Sequence, residues 1–283
     1  MKSLLLSIAL IISISLSAQT TTGPEKGHLI IAGGALRDPA VFAKFIELAG
    51  GNDAHIVVIP TASGMEISKN IEDRLISSWK ARGAKKVSIL HTIDPKEADT
   101  KEFADILNNA TGVWLPGGRQ WRFADSYLNT RVQKNLFALL ARGGVIGGSS
   151  AGATIQGSYL ARGDSKTNTI MVGDHEEGFG FVKNIAIDQH TLARNRQFDM
   201  FEVLDVYPKL LGISLDENTA ILVNGNQFEV IGQSYALIYD GTHWDQKQNQ
   251  YVKNKAGQER FHLLRAGRKY DMASRKVLSQ NRR

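Results

Sequence analysis

The stretch that decides the fold reads Val145-Ile146-Gly147-Gly148-Ser149-Ser150-Ala151-Gly152-Ala153. An apolar pair opens it, and a run compatible with a helix, Ala151 to Gln156, continues from it. Ser150 is the serine of a G-x-S-x-G pattern, in which a strand turns so sharply into a helix that only small residues fit beside a reactive hydroxyl. The stretch therefore predicts a strand–turn–helix unit that presents Ser150 as a nucleophile, whereas Ser149 is expected to be structural.

Strand and helix patterns alternate on either side of this unit. Apolar and β-branched runs predict strands at 28–32, 54–60, 86–90 and 112–116. Helices are predicted at 38–49, 66–81 and 131–142, the first with Asp38 as its N-cap and Pro39 at its first position. Because the strands are apolar on both faces, the alternation is typical of a mostly parallel, doubly wound α/β sheet with helices on both faces.

The last third of the chain has a different pattern. Short strands are predicted at 212–215, 220–223, 228–231 and 236–239, and Asn224-Gly225 is a strong hairpin signal between two of them. No long polar linker precedes these strands. We therefore expect a C-terminal antiparallel β extension of a single α/β domain that runs from 28 to 283, after a short N-terminal segment at 19–27.

The first eighteen residues resemble a secretory signal peptide. Lys2 precedes an uncharged, mostly apolar run at 3–14, and small residues (Ser15, Ser17 and Ala18) follow it. The apolar core is short for a spanning helix of about 20 residues. A cleaved signal at 1–18 is therefore predicted, with an exported, periplasmic or secreted product and no stable membrane insertion; an uncleaved anchor is the alternative.

The composition excludes several kinds of site. The chain has no cysteine, which excludes a thiol nucleophile, a thiolate metal site and disulfides. The 34 basic and 28 acidic residues give a net charge of +6, but the basic residues are dispersed, so no nucleic-acid partner is expected. His175 lies in Asp174-His175-Glu176-Glu177, and four consecutive residues cannot all face one ion. The sequence therefore predicts no metal and no cofactor.

The candidate site lies where the predicted parallel strands end. In such sheets the functional crevice lies at the carboxyl ends of the strands, and loops of small residues follow four of them at 33–34, 61–64, 117–118 and 147–148. The N–H groups of Ala151 and Gly118 are candidate oxyanion donors. Among seven histidines, His190 is the best candidate for the base that a serine nucleophile needs, because it follows a strand-like segment.

Several motifs resemble those of the cyanophycinase family. The members of this family are serine peptidases related to aspartyl dipeptidases, and their fold is similar to that of class I glutamine amidotransferases. The motifs are Gly117-Gly118-Arg119-Gln120, Gly147 to Ala153, Ile187-Asp188-Gln189-His190 with Arg194 and Arg196, Pro208 to Ile213, and Asp216 to Ala220. The resemblance runs from about His28 to Lys276. It implies that Ser150 is the nucleophile, that His190 is the base, and that the substrate is an aspartate-containing peptide or a β-linked isopeptide.

The resemblance also implies a third member of the catalytic triad. In related enzymes the acid lies between the serine and the histidine, some fifteen residues after the serine. Asp164 is the nearest match, and it would hold His190 in the right tautomer. Asp174, Glu176 and Asp188 remain open as alternatives.

Substrate contacts are implied at Gln120, Asp188, Gln189, Arg194 and Arg196. The chain departs from the family pattern at two positions: Arg119 stands where an aspartate is expected, and Asp199 where a third arginine is expected. We expect these two residues to form an ion pair across the crevice. The inverted charges predict a preferred substrate other than cyanophycin.

Two other functions remain open from the sequence. A catalytically silent peptide-binding homologue would keep the fold, although it would have no chemical need for Ser150 and His190. An esterase-type serine hydrolase would also use a serine–histidine–acid triad, but its histidine would normally lie nearer the end of the chain. An amidotransferase-type glutaminase is excluded because that chemistry uses cysteine. The sequence also leaves a homodimer open.

Overall fold

The structure is a computed structural model that describes residues 21–241 and 261–278, together with the backbone of 244–247 and 250–253. The predicted signal peptide at 1–18 lies outside the described residues. The helices are α1 (Pro39–Leu48), α2 (Lys69–Ala81), α3 (Pro95–Ala98), α4 (Lys101–Ala104), α5 (Gln120–Tyr127), α6 (Arg131–Ala141), α7 (Ala151–Thr154) and α8 (Met200–Val206).

The strands fall into a mainly parallel N-terminal group and a mainly antiparallel C-terminal group. The first group comprises β1 (His28–Ala32), β2 (His55–Val58), β3 (Lys86–Ile89), β4 (Gly112–Leu115), β5 (Val145–Ser149), β6 (Gly157–Tyr159) and β7 (Val182–Gln189). The second comprises β8 (Leu211–Leu215), β9 (Thr219–Asn224), β10 (Gln227–Gly232), β11 (Tyr235–Tyr239), β12 (Trp244–Lys247), β13 (Gln250–Lys253), β14 (His262–Arg265), β15 (Lys269–Asp271) and β16 (Lys276–Leu278).

A nine-stranded sheet forms the centre of the fold, in the order β16-β15-β10-β9-β1-β5-β4-β2-β3. The five strands from β1 to β3 in this order run parallel to one another. The others join antiparallel, beginning with β9 beside β1. The predicted parallel α/β sheet and the antiparallel C-terminal strands are both confirmed, and the Asn224-Gly225 hairpin connects β9 to β10 with Gly225 at φ +55°.

Both faces of the parallel region are buried, which explains its continuous apolar strands. Along β1, Ile30 packs on one face with helices α1 and α2, whereas Leu29 and Ile31 pack on the opposite face with α5 and α6. The predicted cap of α1 is confirmed, because Asp38 Oδ1 accepts a hydrogen bond from the Ala40 N–H at 2.9 Å. Helix α2 begins three residues later than predicted.

A second sheet, in the order β14-β11-β8-β7-β6, was not foreseen from the sequence. Its strands β6, β7 and β8 are parallel to one another, β11 is antiparallel to its neighbour β8, and β14 is antiparallel to its neighbour β11. Buried residues such as Ile187 and Ile213 share one apolar core with the central sheet. The sheet matters for function because β7 ends immediately before His190. No helix among the described residues is long and apolar enough to cross a membrane.

Candidate active site

Ser150 occupies a strained turn between β5 and α7. Its backbone has φ +57° and ψ −115°, a conformation that non-glycine residues rarely adopt and that clusters at functional sites. A side chain at Gly148 would lie 2.1 Å from the Gly152 carbonyl oxygen, and one at Gly152 would lie 1.8 Å from that of Leu115. These contacts explain the small residues around Ser150. The predicted strand–turn–helix unit is present, although α7 ends at Thr154 and not at Gln156.

Ser150 and His190 meet across the boundary between the two sheets. The Oγ of Ser150 lies 3.0 Å from Nε2 of His190, within hydrogen-bonding distance. His190 follows β7 with a positive φ of +55°, and it is 7% exposed. The structure therefore brings together the two residues that the sequence singled out as nucleophile and base.

The other imidazole nitrogen of His190 contacts Glu217. Nδ1 lies 2.6 Å from Oε1 of Glu217, which lies in the turn between β8 and β9. A carboxylate can only accept a hydrogen bond, so Nδ1 carries the proton and Nε2 is free to accept one from Ser150. Sequence reasoning missed Glu217 because it sought the acid between the serine and the histidine. The acidic pair Asp216-Glu217, directly after a buried strand, was the available signal.

Asp164 does not occupy this position. Its Oδ1 accepts from the Lys166 N–H at 3.0 Å, and its Oδ2 accepts from the N–H of Thr167 at 3.0 Å and from the Thr167 hydroxyl. The Thr167 hydroxyl, together with these N–H groups, lowers the pKa of Asp164. Asp164 therefore stabilises its own loop as a turn-capping carboxylate.

The three alternative acids are also engaged elsewhere. Asp174 accepts from the N–H of Ser165 at 2.8 Å, and Glu176 accepts from the Tyr207 hydroxyl at 2.5 Å. Asp188 is paired with Arg162. The structure thus places none of them against His190.

Arg162 is the centre of a buried ion cluster, which we call the Arg162 cluster and define as Arg162, Asp188 and Asp199. The guanidinium contacts both carboxylate oxygens of Asp188, with Nε–Oδ1 at 2.8 Å and Nη2–Oδ2 at 3.0 Å. Its Nη2 also contacts Asp199, and its Nη1 donates to the Thr169 carbonyl at 2.8 Å. The side chains of Arg162 and Asp188 are 3% and 0% exposed.

The expected ion pair between Arg119 and Asp199 is not formed. Asp199 pairs with Arg162, and Arg119 Nη1 donates to the Thr167 carbonyl at 3.3 Å. Arg162 is buried in the fold, and its proximity to Asp199 could not be predicted from the sequence.

Arg194 and Arg196 lie close enough to His190 to affect its ionisation. Burial lowers the pKa of His190 from its ordinary value, and the positive charges of Arg194 and Arg196 lower it further, against the opposing effect of Glu217. The lowered pKa keeps the His190 imidazole neutral at neutral pH, and a group must be neutral in this way to accept a proton. In the described part of the chain, neither arginine forms an ion pair with an acid.

Two glutamines of the predicted substrate-contacting set are buried. Gln120 has no exposed surface, and its Nε2 donates to the carbonyls of Ala161 at 3.0 Å and Arg162 at 2.7 Å. Gln189 is 3% exposed, and its backbone carbonyl accepts from Arg196 Nη1 at 3.4 Å. In this structure Gln120 holds the loop that carries Arg162, and Gln189 orients Arg196.

The loop after β4 lies beside Ser150. A Cβ placed on Gly117 would lie 3.2 Å from the Ser150 Cβ, so this loop passes directly beside Ser150. Gly118 has φ +147°, and the next N–H, that of Arg119, donates to the Ala62 carbonyl at 2.8 Å. Within residues 21–241 and 261–278, the N–H groups of Gly118 and Ala151 have no hydrogen-bond acceptor.

Comparison with known proteins identifies a family match over most of this region. Residues 29–231 match the model of peptidase family S51. A cyanophycinase of Geminocystis herdmanii (strain PCC 6308) is 30% identical over 224 residues, which cover 76% of this chain and 81% of that protein. A cyanophycinase of Trichormus variabilis (strain ATCC 29413 / PCC 7937) is 27% identical over 275 residues, covering 93% and 91%.

Solved structures show a similar fold. A peptidase from an acI-B1 Actinobacterium superposes with a TM-score of 0.64 at 22% identity, covering 88% of this chain and 98% of that one. A putative peptidase E protein from Listeria monocytogenes EGD-e gives a TM-score of 0.51 at 20% identity, covering 74% and 99%. At these identities the likeness concerns the fold.

Proposed function

The chain belongs to peptidase family S51 and is a serine-type peptidase, and on this premise we propose that Ser150, His190 and Glu217 are its catalytic triad. The observation that carries the proposal is the continuous chain of contacts, from Ser150 Oγ to His190 Nε2 at 3.0 Å and from His190 Nδ1 to Glu217 Oε1 at 2.6 Å. The strained backbone of Ser150 is additional support, since it exposes the hydroxyl to an incoming carbonyl.

The proposed reaction follows from these contacts. As Ser150 Oγ attacks the scissile carbonyl carbon, its proton passes to His190 Nε2. The tetrahedral intermediate then expels the amine, which takes that proton from His190, and an acyl-enzyme remains. Water attacks the acyl-enzyme with His190 again as base, which releases the acid and restores the serine. Glu217 keeps Nδ1 protonated and stabilises the imidazolium that forms in each half-reaction.

Gly118 and Ala151 are the proposed oxyanion donors. Both N–H groups lack an acceptor within the described residues, and they flank Ser150 from the loop after β4 and from the start of α7. Two backbone donors aimed at the developing oxyanion act without reorganisation, and removing one such donor typically costs about 10²–10³-fold in kcat. Because the hydrogen-bonded N–H of Arg119 points to Ala62, that group is not part of the proposed pair.

The proposed substrate is a peptide or isopeptide with an aspartyl residue at the cleaved bond. The relatives named cyanophycinase support this class. The charges of the site support it as well, because Arg194 and Arg196 lie near His190 without a paired acid in the described part of the chain. An arginine fork suits a carboxylate in a bidentate geometry. We assign these two arginines to the substrate's carboxylate.

The Arg162 cluster limits which substrates fit beside that carboxylate. Asp188 and Asp199 are the acids that flank Arg194 and Arg196 in sequence, and both contact Arg162. Together with Arg194 and Arg196, the Arg162 cluster presents three guanidinium groups and two carboxylates, a net charge of +1, which disfavours a cationic substrate side chain. We therefore propose that an aspartyl substrate with an uncharged neighbour is preferred over arginine-bearing cyanophycin.

Export is a further part of the proposal. The apolar run at 3–14 and the small residues before Gln19 support a signal peptide at 1–18, and with it a periplasmic or secreted enzyme. N-terminal sequencing of the protein recovered from a native host tests this. A mature chain that begins near Gln19 supports export, and an intact Met1 terminus contradicts it.

A panel of α-linked and β-linked aspartyl dipeptides, with cyanophycin, tests the catalytic proposal. The wild type is expected to hydrolyse at least one aspartyl dipeptide, and Ser150→Ala to lose roughly 10⁶-fold in turnover, as for other triad serines. Ser149→Ala is the matched control, because it removes a neighbouring hydroxyl and is expected to retain most activity. Equal losses in the two variants would contradict the assignment.

A further inference from the structure

Backbone carbonyl groups at the end of β1 form hydrogen bonds with the segments that carry all three triad residues. The carbonyl oxygens of residues 32, 33 and 34 accept hydrogen bonds, in that order, from the backbone N–H groups of Ser150 at 2.9 Å, His190 at 2.8 Å and Asn218 at 2.9 Å. Asn218 directly follows Glu217 in the chain. Three consecutive peptide groups thus fix the backbones that carry the nucleophile, the base and the acid, which come from distant parts of the chain.

Gly34 lies against the imidazole ring of His190. A Cβ placed on Gly34 would lie 2.2 Å from Cε1, 2.4 Å from Nε2 and 2.8 Å from Nδ1 of that ring. Carbon atoms in proteins do not approach nitrogen or carbon so closely without a bond, because the optimal separation is about 3.5–4.0 Å. Any side chain at this position would therefore displace the ring or the backbone.

The ring has little freedom to accommodate a side chain. Its two nitrogens are held at the same time, by Ser150 at 3.0 Å and by Glu217 at 2.6 Å. A movement of about 1 Å, the least that would relieve the contacts with a new methyl group, breaks at least one of these hydrogen bonds.

We propose that Gly34 is a positioning residue of the catalytic triad: the absence of a side chain at this position provides the space in which the His190 ring contacts Ser150 and Glu217 simultaneously. The proposal rests on the proposed function, because it gives His190 the role of base. It assigns to Gly34 a catalytic consequence that acts through His190 and not through contact with the substrate.

A merely conformational role for Gly34 is the main alternative. Its φ of +116° favours glycine whatever lies nearby. Gly83 is a matched control for this effect, because its φ is +102° and a Cβ there would have no atom within 4 Å. Alanine at either position strains the backbone, but alanine at position 34 also collides with the imidazole ring.

The first experiment compares Gly34→Ala with Gly83→Ala. The readouts are the rate of covalent labelling by an uncharged fluorophosphonate and, on the aspartyl dipeptide that the wild type hydrolyses, kcat and KM. Gly34→Ala is expected to lose about 10²-fold in labelling and in kcat, the scale of a 1 Å misplacement, with KM largely unchanged. Gly83→Ala is expected to behave as the wild type. Equal labelling of the two variants would overturn the proposal.

The second experiment removes the ring and measures thermal unfolding. If Gly34→Ala is unstable because of the collision, the double variant Gly34→Ala/His190→Ala should recover stability, since the methyl group then has room. In the His190→Ala background, Gly34→Ala should also leave the residual labelling rate unchanged. A double variant as unstable as Gly34→Ala, or a further loss of labelling, would contradict the inference.

These stability measurements separate the inference from the proposed function. Full hydrolysis by Ser150→Ala would refute the catalytic triad, yet the recovery of stability in the double variant would still report the contact between Gly34 and His190. Loss of hydrolysis in Ser150→Ala together with normal labelling of Gly34→Ala would refute the positioning role and leave the triad standing.

Discussion

Nδ1 of His190 lies 2.6 Å from Oε1 of Glu217, across 27 positions of the chain. The two residues meet because β7 and β8 are parallel neighbours, with Gln189 paired to Leu215 at the ends of the strands. His190 directly follows β7, and the turn that carries Glu217 directly follows β8 at the same edge of the sheet. The acid of the candidate triad thus comes from the adjacent strand end and follows the histidine in the chain.

Glu217→Gln is expected to lower kcat by about 10⁴-fold, the scale seen when a triad carboxylate is neutralised. The amide can donate to Nδ1, which favours the wrong tautomer of His190. Steady-state hydrolysis of an aspartyl dipeptide measures the effect.

Asp164→Asn is the control for that prediction, since Asp164 accepts its hydrogen bonds from its own loop. It is expected to keep near-normal kcat. A greater loss of kcat in Asp164→Asn than in Glu217→Gln would identify Asp164, and not Glu217, as the acid of the triad.

The pH dependence of labelling reports the ionisation of His190. His190 accepts the serine proton only when neutral, so labelling should be fast above its pKa and decline as the pH falls through it. Since burial and the two arginines lower this pKa from 6.5, the decline should be centred below pH 6.5. The measurement is the rate of reaction with an uncharged fluorophosphonate between pH 4 and pH 8, roughly the range in which a histidine titrates.

Variants should move this profile in opposite directions. Arg194→Gln removes a charge that lowers the pKa of His190 and should move the decline to higher pH, whereas Glu217→Gln removes a partner that raises it and should move the decline to lower pH. Arg74→Gln, on the exposed side of α2, is the control and should leave the profile in place. A shift of Arg194→Gln to lower pH would contradict the electrostatic account.

Loss of Arg162 is expected to destabilise the fold. Arg162→Met leaves the fully buried Asp188 without its bidentate partner, and removing one member of a buried pair typically costs about 3–5 kcal/mol in the free energy of unfolding. Urea denaturation followed by circular dichroism measures the change.

A double variant and a surface pair provide the controls for Arg162. Arg162→Met/Asp188→Asn should recover part of the lost stability, because the buried carboxylate is then neutral. Lys44→Ala breaks an exposed pair with Glu47 and should change the free energy of unfolding by at most about 1 kcal/mol. Equal effects of Arg162→Met and Lys44→Ala would argue against a structural role for the Arg162 cluster.

Substrate charge provides a test of specificity. The wild type should have a higher kcat/KM for a β-aspartyl dipeptide with a neutral partner, such as leucine, than for one with arginine, because the arginines of this wall outnumber its acids by three to two. Arg196→Gln should lower kcat/KM by roughly 10–150-fold, as a hydrogen bond to a charged group contributes about 1.5–3 kcal/mol. Hydrolysis of cyanophycin as efficient as that of the neutral dipeptide would contradict the specificity proposal.

Local sequence patterns predicted the parts of the fold that depend on local physics. The strand at His28–Ala32 and the capped helix after Asp38 were predicted to within a residue, because apolar periodicity and capping are local signals. The turn at Ser150 was predicted for the same reason: the glycines around it leave space for the close backbone contacts of the turn.

Spatial relationships between distant strands could not be predicted in the same way. Nothing in the sequence specified that β7 pairs with β8 in a second sheet, so the proximity of Glu217 to His190 was not foreseen. The same limit led to the incorrect pairing of Arg119 with Asp199. The residue that pairs with Asp199 is Arg162, and the sequence alone does not distinguish this buried arginine from one on the surface.

The most direct test of the central claim is covalent labelling by a fluorophosphonate, followed by peptide mapping in a mass spectrometer. A single adduct on Ser150 is predicted in the wild type and in Ser149→Ala, with no adduct in Ser150→Ala and a strongly reduced rate in both His190→Ala and Glu217→Gln. An adduct on Ser149 or another serine, or labelling that does not depend on His190, would contradict the account of Ser150, His190 and Glu217 as one catalytic unit.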